Sequence, residues 1–299
     1  MRGEDDLLVS NRIFSNTGSG VGLTTAQNTL IRDNEIYGND GPGAIQIRNA
    51  HAITVTGNRI YSNTTGGGCF CLRSDTITFS GNAVYSNAST SSDGGAGLVA
   101  SRCWTVTIEG NTFHHNRAQC RGALRLYESG PVEIVNNVVA ENVVEHDGSG
   151  IEISGGVVHL LHNSLARNGD RGIHVIGNAQ AWLTNTILVS HAVGINVDYG
   201  EAHLEGTLWG SGAWANGTDW INNNTLFTGT VNIWGDPAFT DPDGGDYHIG
   251  PGSAAIDAGV NAGVATDIDG DPRPVGMGYD IGADEAPSFI FLPLVLRHY

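Results

Sequence analysis

The stretch NRIYSN, Asn58 to Asn63, decides the fold, because variants of it recur along the chain. They begin at Asn11 (NRIFSN), Asn34 (NEIYGN), Asn82 (NAVYSN), Asn111 (NTFHHN), Asn137 (NVVAEN), Asn163 (NSLARN) and Asn185 (NTILVS), with a weaker echo at Gly206 (GTLWGS). Successive first asparagines lie 23, 24, 24, 29, 26, 26 and 22 residues apart, and Gly206 follows 21 residues later. Repeats of this length build one solenoid coil each.

Each repeat holds three short extended pieces, seen in residues 43–63 as GAIQIRN, AITVTGN and RIYSN. Ile45 and Ile47 alternate with Gln46 and Arg48, and Ile53 and Val55 alternate with Thr54 and Thr56, which is strand periodicity. Three strands cannot bury their inward isoleucines alone. Coils stacked about 4.8 Å apart pair every strand in parallel with its neighbours and create one continuous core. The sequence therefore predicts an all-β fold, a right-handed parallel β-helix of about nine coils within residues 1–210, with Ile45, Ile47, Ile53, Val55 and Ile60 buried. Asparagine tolerates left-handed backbone and satisfies loose backbone groups at corners. Two amide columns are expected: Asn11, Asn34, Asn58, Asn82, Asn111, Asn137, Asn163 and Asn185, and Asn16, Asn39, Asn63, Asn87, Asn116, Asn142 and Asn168. A third column, Phe14, Tyr37, Tyr61, Tyr85 and His114, then Ala140, Ala166, Leu188 and Trp209, reads as rings stacked on one another, with a glycan-contact stripe as the alternative.

Composition narrows the chemistry. The 299 residues carry a formal charge of −17, which argues against nucleic acid or an anionic membrane as partner. All 14 basic residues are arginine, so Schiff-base, lysine-base and P-loop lysine chemistry is excluded. The start, MRGEDDLLVSN, has no secretory signal and enters the repeat in mid-phase, so a truncated N-terminus is expected.

These coils resemble the parallel β-helix repeats of pectate lyases, polygalacturonases, alginate epimerases, phage tailspikes and bacterial surface proteins. The resemblance implies a secreted or cell-surface bacterial protein, monomeric, engaging a polysaccharide or surface glycan, either as a binder or as a polysaccharide lyase. The Asp-Asp of polygalacturonase-like hydrolases occurs here only as Asp5-Asp6, and their Gly-His-Gly is missing. Residues 235–285 resemble a segment that follows β-helix coils in many exported bacterial proteins. That segment holds 11 acidic residues against Arg273 alone, and proline and glycine interrupt it throughout. Residues 211–286 are thus expected to cap the open end of the last coil. The tail 287–299 has an apolar run broken by Pro293, too short for the ~20 residues of a membrane span. It reads as a sorting element or an added strand.

Candidate sites follow from position. Coil length varies most after the second asparagine, where residues 88–96 (ASTSSDGGA) and 143–149 (VVEHDGS) contrast with GDR at 169–171. Insertions at one corner mark a binding side. The adjoining outward column is expected to run Gln46, Cys71, a residue near Ala100, Arg125, Glu152, His174 and Asn196. Arg125, Glu152 and His174 are the catalytic candidates, with Glu145, His146, Asp147, Asp170 and Arg171 as ligand-binding candidates on the loops. Asp267, Asp269 and Asp271 alternate in DIDGDPR, a pattern that suits calcium, and pairing with Arg273 is the alternative. Among Cys69, Cys71, Cys103 and Cys120, the first two are expected to point outward, and the sequence leaves any disulfide pairing open.

Overall fold

The structure is a computed structural model that describes residues 3–92 and 94–287; the apolar tail falls outside them. The chain winds as a parallel β-solenoid with three strands per coil. First strands form one sheet, from Val21–Thr24 through Ile45–Arg48 and Cys69–Leu72 to Thr218–Asn222. Second and third strands join in a second, 18-stranded sheet. Among the described residues the helices are two 3-10 turns, Gly212–Trp214 and Pro242–Gly244. None of the helices among the described residues is long and apolar enough to cross a membrane.

Inward side chains register coil on coil. Ile45 lies beside Cys69, Cys69 beside Leu98, and Leu98 beside Leu124. Ile45, Ile47, Ile53, Val55 and Ile60 are fully buried, as expected. Each such side chain is worth about 1.5–3 kcal/mol of transfer free energy, and stacking is what removes it from water. Parallel pairing continues past residue 210 to Thr218–Asn222, Thr225–Thr228 and Asn232–Gly235, one coil beyond the boundary drawn from the sequence.

The corner amides hold the coils in line. Asn58 donates from Nδ2 to Asn82 Oδ1 at 2.9 Å and to Ile31 O at 2.9 Å, and its backbone N–H donates to the same Asn82 Oδ1 at 2.9 Å. The pattern repeats through Asn82, Asn111, Asn137 and Asn163. The second column runs from Asn16 to Asn168 and passes to His191 at 3.3 Å. Two expectations need correction. The left-handed residue is the one before each ladder asparagine, such as Gly57 at φ 65°, and not the asparagine itself. Asn185 is also left-handed and stands one position early: Thr186 pairs with Thr207 in the ladder register, so Leu188 and Trp209 face the core.

Aromatic rings of the third strands stack at strand spacing, with Tyr37–Tyr61 and Tyr61–Tyr85 centroids 5.0 Å apart and planes within 7°. Ring edges, not faces, reach solvent in such a stack. The C-terminal segment folds back along the outer face of the third strands, where Ile281, Ala283 and Ala286 pack with Val138, Ala140, Ala166, Ile187 and Val189. Asn185 clamps it, accepting from Val260 N at 2.9 Å and donating to Val260 O at 2.6 Å, and Ser164 Oγ accepts from Ala283 N at 3.0 Å. The reason is apolarity on both sides of those strands: Val138-Val139-Ala140 and Ile187-Leu188-Val189 cannot leave their outer face in water. Within the segment, Arg273 pairs with Glu285 at 2.7 Å, both fully buried, rather than with Asp267, Asp269 or Asp271.

Two outcomes follow. Asn111→Leu leaves Asn82 without its acceptor and Phe79 O without its donor. It should lower stability by about 2–4 kcal/mol, measured by urea unfolding, because buried amides and carbonyls lose partners in two coils. The second concerns His191, whose pKa burial lowers from 6.5 to about 4. A depressed histidine contributes stability that is present above pH 6.5 and lost as pH falls through about 4, here about 3 kcal/mol. His191→Asn, which continues the ladder, should abolish that loss. The difference between the two proteins isolates it from Asp280 and Asp284, which burial raises to about 6 and which act with the opposite sign.

Candidate functional site

The outward column of the first-strand sheet reads Gln46, Phe70, Val99, Arg125, Glu152, His174 and Asn196. Arg125, Glu152 and His174 are thus successive neighbours, as the sequence predicts. Cys71 and Ala100 are not in it. Cys69 and Cys71 register with Ile45 and Ile47 and point into the core, while Phe70 turns outward beneath Arg48, whose guanidinium lies 5.6 Å from the ring centre. Reading phenylalanine as core inverted the parity of that strand.

Around Arg125 opens a groove of about 590 Å³. Five arginines line it: Arg48, Arg73, Arg102, Arg121 and Arg125, together with Phe70 and Tyr127. Parity and corners put them there. Arg48 ends a first strand, Arg73 and Arg102 occupy left-handed corner positions at φ 48° and 53°, and Arg121 comes from the insertion that widens its coil. Arg102 and Arg125 lie over the Tyr127 ring at 5.6 and 5.1 Å. Glu128 holds Arg102 at 2.7 Å, which raises the guanidinium pKa further and lowers that of the carboxyl. Glu152, 1% exposed, holds Arg125 at 3.2 Å. Arg48, Arg73 and Arg121 have no carboxylate partner among the described residues. A second hollow of about 240 Å³ shares Arg48 and Phe70 and is walled by Thr90, Ser91 and Gly94 of the first insertion.

Further along the column His174 Nε2 lies 3.1 Å from Asp198 Oδ2, and Asp198 also accepts from Asn196 at 2.7 Å and Asn223 at 2.5 Å. These bonds, that of Asn223 foremost, lower the Asp198 pKa. The loop candidates divide. Glu145 pairs with Arg117 at 2.7 Å, and Glu145, His146, Asp170 and Arg171 are not among the groove-lining residues. The Asp147 side chain lies outside the described part of the structure.

The three aspartates of DIDGDPR do not converge. Asp267 Oδ1 accepts from the backbone N–H groups of Asp269 and Asp271 at 2.9 and 2.8 Å, and Oδ2 from Glu285 N at 3.1 Å, so this carboxylate shapes a turn. Among the described residues the ligating atoms that come together, within 4.8 Å, belong to His248, Asp269 and Asp284. They already have partners, for His248 bonds Asp269 at 2.8 Å and Asp284 accepts from Ile249 N at 2.8 Å.

Sequence reasoning missed Arg48, Arg73, Arg102, Arg121, Tyr127 and Asp198. The available signal was concentration: seven of the 14 arginines fall between residues 48 and 125, and five of these line the groove.

The A-module of the mannuronan C-5 epimerase AlgE6 of Azotobacter vinelandii has a similar fold, at 15% identity and a TM-score of 0.51, over 74% of this chain and 65% of that one. The chain thus spans just under two thirds of that module. The periplasmic alginate epimerase AlgG matches at 15% identity and a TM-score of 0.46 over 72% of this chain and 46% of that one. Pectate lyase Pel9A matches at 12% identity and a TM-score of 0.46 over 87% of this chain and 88% of that one. No curated protein sequence matches the chain. The model of the right-handed β-helix region matches residues 1–91 and 44–207, and the chain belongs to that family.

Proposed function

We propose that this β-helix binds an anionic polysaccharide in the arginine groove of its first-strand sheet, as a non-catalytic secreted or cell-surface protein. The observation that carries the reading is the gathering of five arginines, three without a carboxylate partner among the described residues, in a chain of net charge −17. Guanidinium forks bind carboxylate or sulfate groups in two parallel hydrogen bonds. Phe70 and Tyr127 add apolar ring surface of the kind a sugar face covers.

The catalytic alternative has one observation in its favour, the contact of His174 with Asp198 next to the buried Glu152. Arg125 is a poor base for it. A guanidinium only donates hydrogen bonds and is not deprotonated in proteins, and this one is engaged by Glu152 at 3.2 Å. Incubation with polygalacturonate and alginate is expected to give no unsaturated sugar products by absorbance; their appearance, with loss in His174→Ala, would replace the binding reading with a lyase.

Retention on immobilised polygalacturonate or alginate should weaken steeply between low and high salt, and a neutral glucan should not retain the protein. Arg73→Ala and Arg121→Ala should each weaken retention roughly tenfold without lowering the melting temperature. Equal retention of the double variant would sink the groove. Calcium added to chelator-treated protein is expected to leave the melting temperature unchanged, since the His248, Asp269 and Asp284 atoms already bond one another or the backbone.

A further inference from the structure

The sequence left the cysteine pairing open; in the structure all four cysteines are free thiols, and the coil geometry brings two of them together. Cys71 ends its inward run in the third first strand, 3% exposed. Cys103 is fully buried at the corner after the next first strand. Their sulfurs are 3.1 Å apart, closer than unbonded sulfurs rest. Cys103 occupies a corner position that serine fills in the adjacent coils: Ser74 Oγ accepts from Ala50 N at 3.1 Å, and Ser129 Oγ accepts from Cys103 N at 2.9 Å. A thiol replaces a working hydroxyl at the one corner that faces another inward thiol.

We propose that Cys71 and Cys103 form a disulfide that staples adjacent coils beneath the arginine groove. The two thiols give up two protons and two electrons as the S–S bond forms. A disulfide-bearing thiol carrier such as oxidised glutathione accepts them and is reduced to two thiols. Oxidation precedes completion of the coil stack, because in the folded protein both sulfurs are sealed from solvent. Cys69 is buried in the same strand with its thiol pushed up to about 12, and Cys120 lies in an insertion against Ser91 and Ser92 carbonyls, 3.8 and 3.3 Å away. A soft-metal site is not the alternative, because no group of three cysteine sulfurs comes within 4.8 Å of one another among the described residues. The bond ties the segment carrying Arg73 to the segment carrying Arg102, two rungs of the groove wall. The staple itself does not depend on what the groove binds.

The full chain is refolded in oxidised and in reduced glutathione, then unfolded with iodoacetamide present and no reductant, and digested for mass spectrometry. The oxidised sample should yield one cross-linked peptide joining Cys71 and Cys103, with Cys69 and Cys120 alkylated. It should melt several degrees above the reduced sample. Cys103→Ser, which keeps the corner hydrogen bonds its neighbours use, should fold and melt like reduced wild type in either buffer. Alkylation of all four cysteines after oxidative refolding, a cross-link involving Cys69 or Cys120 instead, or a Cys103→Ser protein as stable as oxidised wild type would each overturn the proposal.

Discussion

A primary amide buried at a corner is satisfied only when another amide sits one coil above it and a carbonyl one coil below. Each asparagine of the ladder meets its needs in this way, donating from Nδ2 to the next Oδ1 and to a carbonyl of the preceding coil. The constraint is severe because an unpaired buried donor or acceptor costs about 1–3 kcal/mol. It also explains where the chain varies. The two asparagines of every ladder repeat are five residues apart, as in Asn58 and Asn63 or Asn111 and Asn116, although the repeat length ranges from 23 to 29. Apart from single-residue changes at the corner between first and second strands, as between Tyr127–Val132 and Ser154–Val158, most length variation falls in the connection that follows the second asparagine. The insertions there supply Arg121, Thr90, Ser91 and Gly94 to the groove and its side wall. A rule that stabilises one corner thus makes the opposite edge of the coil the place where a site can be built.

The ladder ends at Asn163 in its first column, and a different solution replaces it. Thr186 and Thr207 continue the register, but a hydroxyl cannot bridge coils as an amide does, and both Oγ1 atoms lack partners among the described residues. From Val138 onward the third strands become apolar on their outer face, and the C-terminal segment lies against them. Asn185 illustrates the exchange. Standing one position early, it satisfies Val260 of the segment instead of an asparagine of the next coil.

The fold was legible because periodicity repeats: one coil read correctly predicts the next, and Ile45, Ile53 and Ile60 are buried as the pattern requires. What failed was local. NTILVS matches the repeat by eye, yet its asparagine is one residue out of register, and only the pairing of Thr186 with Thr207 reveals it. In CFCL an apolar ring and two thiols compete for the core, and hydrophobicity alone chose the ring, where cation contact with Arg48 keeps Phe70 outside. The neighbours Arg125, Glu152 and His174 were legible because they share strand parity. Arg73 and Arg102 were not, since a corner position has no parity and its direction depends on the left-handed turn.

Charge distribution decides how a basic groove survives in so acidic a chain. Of the net −17, a net of −10 resides in residues 236–285, eleven acidic side chains against Arg273. That segment is bound to the outer face of the third strands, whereas the groove lies on the first-strand sheet, with the core between them. Strands of four to six residues make each coil side roughly 13–20 Å long, beyond the Debye length of about 8 Å at physiological salt. The arginines therefore act locally, and the acidic flank weakens their field only at long range. A rigid polyanion that must approach as a broad surface meets the repulsion first. A single flexible chain, narrow enough to lie between the insertions and reach Arg73 and Arg121, meets the groove first, so the net charge that disfavours nucleic acid is compatible with the thin acidic polysaccharide proposed as ligand.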